Sequence, residues 1–160
     1  MIIYFTNSLD LRKPLASQWK SGLNYKTISH IDLARILEAK YSPYTLFSNF
    51  MNSQLALLMI NSLNRARSVR EFREQVKGRL REYWLTWLSQ RGINYFQTGN
   101  VFDTPLIDTA QYWRNVLFDI RMTSFETISV ERCLAGIISP KQAWYNFDII
   151  MKPEPKARYK

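Results

Sequence analysis

Between Ala66 and Gln90, seven apolar side chains recur at intervals of three and four: Val69, Phe72, Val76, Leu80, Tyr83, Trp87 and Leu88. That rhythm places them on one face of an α-helix. A stripe of this length must be covered by other elements, so the rest of the chain has to be arranged around it. Gly92 is a good C-terminal stop, and Arg91 in the last turn suits the helix dipole. Gly78 inside the stretch costs about 1 kcal/mol relative to alanine, and predicts a kink or a close helix crossing there.

The same stretch is strongly basic. Between Arg65 and Arg91, eight cations stand against Glu71, Glu74 and Glu82, giving +5 of the chain's net +9. The remaining charge is uneven: +3 over residues 1–64, −2 over 92–151 and +3 over 152–160. On a helical wheel, Arg70, Arg73, Lys77 and Arg81 fall within about 60° of one another, with Arg67 close by and the apolar face about 120° away. A line of cations pointing outward from an ordered helix follows. Seven of the eight are arginine, whose planar fork suits phosphate. The competing reading is a solvated face laced with Arg67–Glu71 and Arg70–Glu74 pairs at i,i+4 spacing, but three glutamates do not neutralise eight cations.

Other segments read mostly as helix. Residues 31–40 repeat Ile31, Ala34 and Leu37 behind a Thr27 or Ser29 cap. A helix from Pro43 to Asn64 is apolar around much of its circumference and belongs at the centre. Thr104-Pro105 opens a helix through Arg121 with Leu106, Ala110, Trp113, Leu117 and Ile120 inward. Ser124 caps a helix over 125–135 that buries Ile128, Cys133 and Leu134. Ser139-Pro140 starts a last short helix, or a helix then a strand, through Ile150. Short β elements are expected at Ile2–Phe5, as an edge strand or packed arm, and at Tyr95–Phe102. The expected fold class is therefore mainly α, a bundle of five or six helices forming one domain over residues 1–151. A flexible basic tail over 152–160 completes it.

Composition excludes several classes. At 160 residues with 46% hydrophobic and 14% aromatic content, the chain suits a single packed domain. Cys133 is the only cysteine, so no internal disulfide forms, and a reduced, cytoplasmic compartment is the natural expectation. No basic region precedes the short apolar start, so a signal peptide is not indicated. The uncharged window from Tyr41 to Asn64 is interrupted by serine and asparagine, which points to a core helix and not to an integral membrane span. One histidine, His30, and one cysteine do not assemble a metal cluster or a catalytic triad. No phosphate loop or dinucleotide fingerprint is present, so no cofactor is called for. Residues 27–50 have a loose helix-turn-helix outline, but the would-be recognition helix carries no basic residue, which favours core packing. Asp10 or Asp32 with Glu38-Ala39-Lys40 is too short a match to name a nuclease.

The leading expectation is a small protein binding nucleic acid, DNA or RNA. It contacts phosphates through Arg67, Arg70, Arg73, Lys77 and Arg81, with Trp84 as a stacking surface and Lys156, Arg158 and Lys160 as a flexible arm. The alternative is a structural or assembly subunit whose basic helix docks on an acidic protein surface, in a partner or in another copy. An enzyme of unnamed reaction is the third reading.

Overall fold

A computed structural model of the chain describes residues 1–7, 43–93 and 114–153. The elements are β1 (Ile2–Asn7), α1 (Pro43–Met51), α2 (Leu55–Arg65), α3 (Val69–Ile93), β2 (Val116–Arg121), α4 (Ser124–Leu134), α5 (Pro140–Tyr145) and β3 (Ile150–Pro153). The expected helical bundle is corrected: among the described residues, five helices accompany a three-stranded mixed sheet of order β2-β1-β3. β1 pairs antiparallel with β2, from Ile2↔Arg121 to Asn7↔Val116, and parallel with β3, from Ile2↔Ile150 to Phe5↔Pro153. The N-terminal segment is the middle strand, not an edge.

At 116–121, where the sequence predicts the end of a helix, the chain is a strand. Leu117 and Ile120 fit a helical spacing with Trp113, yet Val116, Phe118 and Ile120 also alternate with Leu117, Asp119 and Arg121. The period of two prevails: Val116, Phe118 and Ile120 are buried while Asp119 and Arg121 are exposed. The long helix expected from Pro43 to Asn64 is two helices, interrupted at Asn52-Ser53-Gln54. These short polar residues offer the backbone competing bonds. Ser53 Oγ donates to the Phe50 carbonyl at 3.4 Å, and Gln54 N–H donates to the Met51 carbonyl at 2.8 Å. Residues 31–40 and 95–102, for which a helix and β structure were expected, lie outside the described residues.

α3 forms as the spacing predicts, and its stripe is the floor of the core. Phe72, Val76, Leu80, Trp84, Trp87 and Leu88 are all buried. β1 supplies Ile3 and Phe5, α1 supplies Tyr44 and Phe47, and β2 supplies Phe118. The rings interlock: Phe5 stacks on Tyr44 at 4.2 Å, Phe47 meets Trp84 edge-on at 5.1 Å, and Trp84 lies 5.6 Å from Trp87. Offset and edge-on aromatic pairs add to the area they bury. No close crossing explains Gly78, since a Cβ there meets nothing within 4 Å.

The N-cap of α4 is Thr123, one residue before the expected Ser124. Thr123 and Glu126 make a capping box: Thr123 Oγ1 accepts from the Glu126 amide at 3.1 Å, and the Glu126 carboxylate accepts from the Thr123 amide at 3.0 Å. The helix turns Glu126, Ser129 and Val130 inward and leaves Ile128 exposed, against expectation. Glu126 also binds the Met1 ammonium at 2.7 Å, and that ammonium donates to the Asp148 carbonyl at 2.7 Å. One buried carboxylate thus ties the start of β1 to α4 and to the turn before β3. α5 begins as expected, with Ser139 and Gln142 in a second capping box and Pro140 in the first turn. β3 then takes Lys152 and Pro153 from the expected tail.

Two outcomes test this packing. Burial alone would raise the Glu126 pKa, but hydrogen bonds from the Met1 ammonium and Thr123 outweigh it and leave the value below the ordinary 4.5. A lowered folded-state pKa stabilises the fold above the unfolded-state value, and that stability is lost as pH falls through the folded-state value. Melting temperature should therefore drop on acidification below pH 4.5. Glu126→Gln should flatten that dependence and melt lower at neutral pH. In contrast, Gly78→Ala should raise stability by about 1 kcal/mol, read as a higher urea midpoint at unchanged m-value.

Candidate functional site

Arg73, Lys77 and Arg81 lie along the flank of α3 beside β2, and Arg70 stands between that flank and the exposed face. Burial of Trp84 widens the apolar arc toward them, so the line borders the core. The most exposed column of α3 instead holds Glu71, Glu74, Gly78, Glu82 and Leu85. Their spacings of three, four and seven keep them on one side of the helix. Arg65, Arg70 and Arg79 border an open groove along that column.

Each expected contact residue has its own place. Arg67 is exposed; its backbone N–H, and not its guanidinium, donates to Glu71 at 2.6 Å. Ser68 Oγ accepts from the Glu71 amide at 3.1 Å, so Glu71 serves the start of α3 and not an i,i+4 pair. Arg70 is exposed, and Arg73 is half-buried. The Nε of Arg73 is fully covered and has no hydrogen-bond partner among the described residues. Lys77 stands 3.6 Å from Glu74 and 3.8 Å from Asp119 of β2. Arg81 reaches β2 as well, donating through Nη1 to the Val116 carbonyl and through Nη2 to the Arg114 carbonyl at 2.6 Å. Lys156 and Arg158 lie outside the described residues.

Trp84 is corrected outright. It has no exposed surface, so it offers no platform for a base. Its position close to the cation line reflects the width of the buried arc, which seven apolar positions alone underestimate.

Arg81 has a structural task that explains its place. Val116 and Ile120 share parity on β2, so their backbone groups point to the same side of the strand. The Val116 carbonyl is bound by Arg81, and the Ile120 amide donates to Asp119 Oδ1 at 2.9 Å. Side chains therefore satisfy ladder groups that would otherwise attract another strand. Arg70, Arg73, Glu74 and Lys77 then line a cleft of about 390 Å³ against Asp119 and Ile120.

The sheet adds two cations that helical spacing concealed. Arg121 and Lys152 lie over the Tyr4 ring, at 5.7 and 5.8 Å from its centroid. Arg121 follows Asp119 on the same face of β2, about 7 Å along the strand. The period-two pattern from Val116 to Arg121 was the signal for it.

Among the described residues, no three metal-ligating side chains gather and no helix is long and apolar enough to cross a membrane. Cys133 is half-buried, and burial pushes its thiol pKa up, which disfavours the reactive thiolate. His30, Asp10, Asp32 and Glu38 lie outside the described residues. Comparison with known proteins returned no matching family model, no similar curated protein and no similar solved structure.

Arg81 and Arg70 should separate in stability. Arg81→Ala leaves the part-buried Val116 carbonyl without its partner and should cost about 1–3 kcal/mol in urea unfolding, with faster hydrogen exchange in β2. Arg70→Ala, on an exposed side chain, should stay within about 0.5 kcal/mol of wild type.

Proposed function

We propose that the protein binds nucleic acid through phosphate contacts centred on Arg70 and Arg73. The observation that carries this reading is the grouping of Arg70, Arg73 and Lys77 along one open cleft beside β2. The planar fork of arginine suits the oxygens of a phosphate. Arg67 extends the site at the start of α3. Lys77 serves it only in part, because two carboxylates hold it, and Arg81 is committed to β2. The field of a +9 chain draws a polyanion toward the site from a distance. A reduced intracellular compartment fits both this role and the single half-buried cysteine.

The interaction-subunit reading keeps one supporting observation, away from the basic helix. Phe125, Ile128, Ile137 and Tyr145 are each more than half exposed on or beside α4 and α5, and exposed apolar side chains of this size suit protein contacts when they form a patch.

Fluorescence anisotropy with labelled DNA and RNA at several salt concentrations tests the first reading. Three free arginines should give a log–log slope of about −2 on a single strand and about −3 on duplex. Five phosphate contacts would give about −4 to −5 on duplex. Combined Arg70→Ala and Arg73→Ala should remove most of the salt-dependent affinity. Absence of binding at low salt overturns the reading, and concentration-dependent self-association in sizing would then favour the α4–α5 surface.

A further inference from the structure

We infer that the protein forms a two-fold dimer through the exposed face of α3, with Gly78 at the crossing point. This is independent of the nucleic-acid reading and starts from a residue that the fold itself does not account for. A glycine inside a helix costs about 1 kcal/mol relative to alanine. At Gly78 a Cβ would meet nothing within 4 Å, so no neighbouring element of the same chain requires its absence. A bare backbone there lets a second helix approach closely.

The residues around Gly78 fit a second copy of the same helix. Glu71, Glu74, Gly78, Glu82 and Leu85 form the exposed column. Their spacings are three and four before Gly78, then four and three after it. An antiparallel copy turned about a two-fold axis at Gly78 therefore meets this column in register, glycine on glycine. The groove along the column, about 700 Å³, is lined by Arg65, Arg70 and Arg79 together with Glu71, Glu74 and Glu82. On a chain of +9 that surface is balanced in charge, and a copy of itself is its complement.

Arg79 and Glu82 supply a specific pair. They are spaced i,i+3 on the flank away from β2, yet neither makes an ion pair among the described residues. A two-fold crossing sets each flank of α3 against the same flank of its copy, running in the opposite direction. Glu82 of the partner subunit then lies beside Gln75 and roughly 7.5 Å along the axis from Arg79, within reach of a long side chain. The two β2 flanks, each with its basic cleft, fall together on the other side of the crossing. One helix crossing is smaller than a standard interface of about 1,200 Å², so the dissociation constant should be about micromolar.

Sedimentation velocity from about 1 to 200 μM, at low and moderate salt, tests this. We expect a monomer–dimer equilibrium that weakens as salt rises. Association alone also fits the α4–α5 surface, and variants separate the two. Gly78→Leu should stay monomeric, while melting at or above the wild-type temperature at low concentration, since the position is open and leucine favours a helix. Misfolding would lower the melting temperature instead. Arg79→Glu and Glu82→Arg should each weaken association by at least about tenfold, and mixing the two variants should restore it as a heterodimer. Phe125→Ser combined with Ile128→Ser, at exposed positions of α4, should leave association unchanged. A wild-type chain that is monomeric throughout overturns the inference. So does a dimer that survives Gly78→Leu, or one lost on the α4 substitutions. None of these outcomes bears on phosphate binding, which the anisotropy titrations read separately.

Discussion

Phe5, the fifth residue of the chain, touches four rings from three later elements: Tyr44, Phe47, Trp84 and Phe118. That cluster fixes the fold, because Phe5 sits on the central strand. The same strand carries the antiparallel pairing to β2 and the parallel pairing to β3. Met1, just before the strand, is held by Glu126, itself fixed by the capping box of α4. A strand so placed joins contacts separated by more than a hundred residues, so the sheet and the α3 platform depend on one another. Long-range pairing of this kind is slow to nucleate but cooperative once made.

How much of this was legible depended on whether one period dominated a segment. α3 has a clear 3.6-residue stripe over 25 residues, and Phe72, Val76, Leu80, Trp87 and Leu88 of its expected face are buried, with Val69 and Tyr83 half-buried at its margins. Residues 116–121 fit two periods, and local sequence does not choose between them. The choice came from β1, whose backbone needed a partner and whose register matched Val116, Phe118 and Ile120 to the core. Phe125–Ala135 was readable as a helix, but not its inward face. A carboxylate, Glu126, occupies a buried position that an apolar count gives to Ile128. A buried ion pair is invisible to hydrophobic patterning, since its justification is a partner 125 residues away.

The cation line was legible in composition and spacing but not in allegiance. A wheel measures angles within one helix and carries no information about what lies beside it. Once β2 is placed on the flank, Arg81 and Lys77 acquire carbonyl and carboxylate partners, while Arg70 and Arg73 acquire none on β2. Arg121 and Lys152 were missed for the complementary reason. They belong to strands, and only cross-strand register sets them together over Tyr4.

A division of labour within one row of like charges has a physical consequence. Arginines used to close a sheet edge must stay dehydrated and paired, whereas arginines that hold a polyanion must exchange water and counterions for phosphate. The cations of α3 divide because the helix rotates them by different amounts relative to β2. Arg81 reaches the strand backbone, Lys77 meets Asp119 at its rim, and Arg73 Nε is covered with no partner among the described residues. The three glutamates on the outer column then act in two directions. They limit self-repulsion along a strongly basic helix. Glu74 also lines the cleft beside β2, so the cations there, Arg70, Arg73 and Lys77, share it with two carboxylates, Glu74 and Asp119.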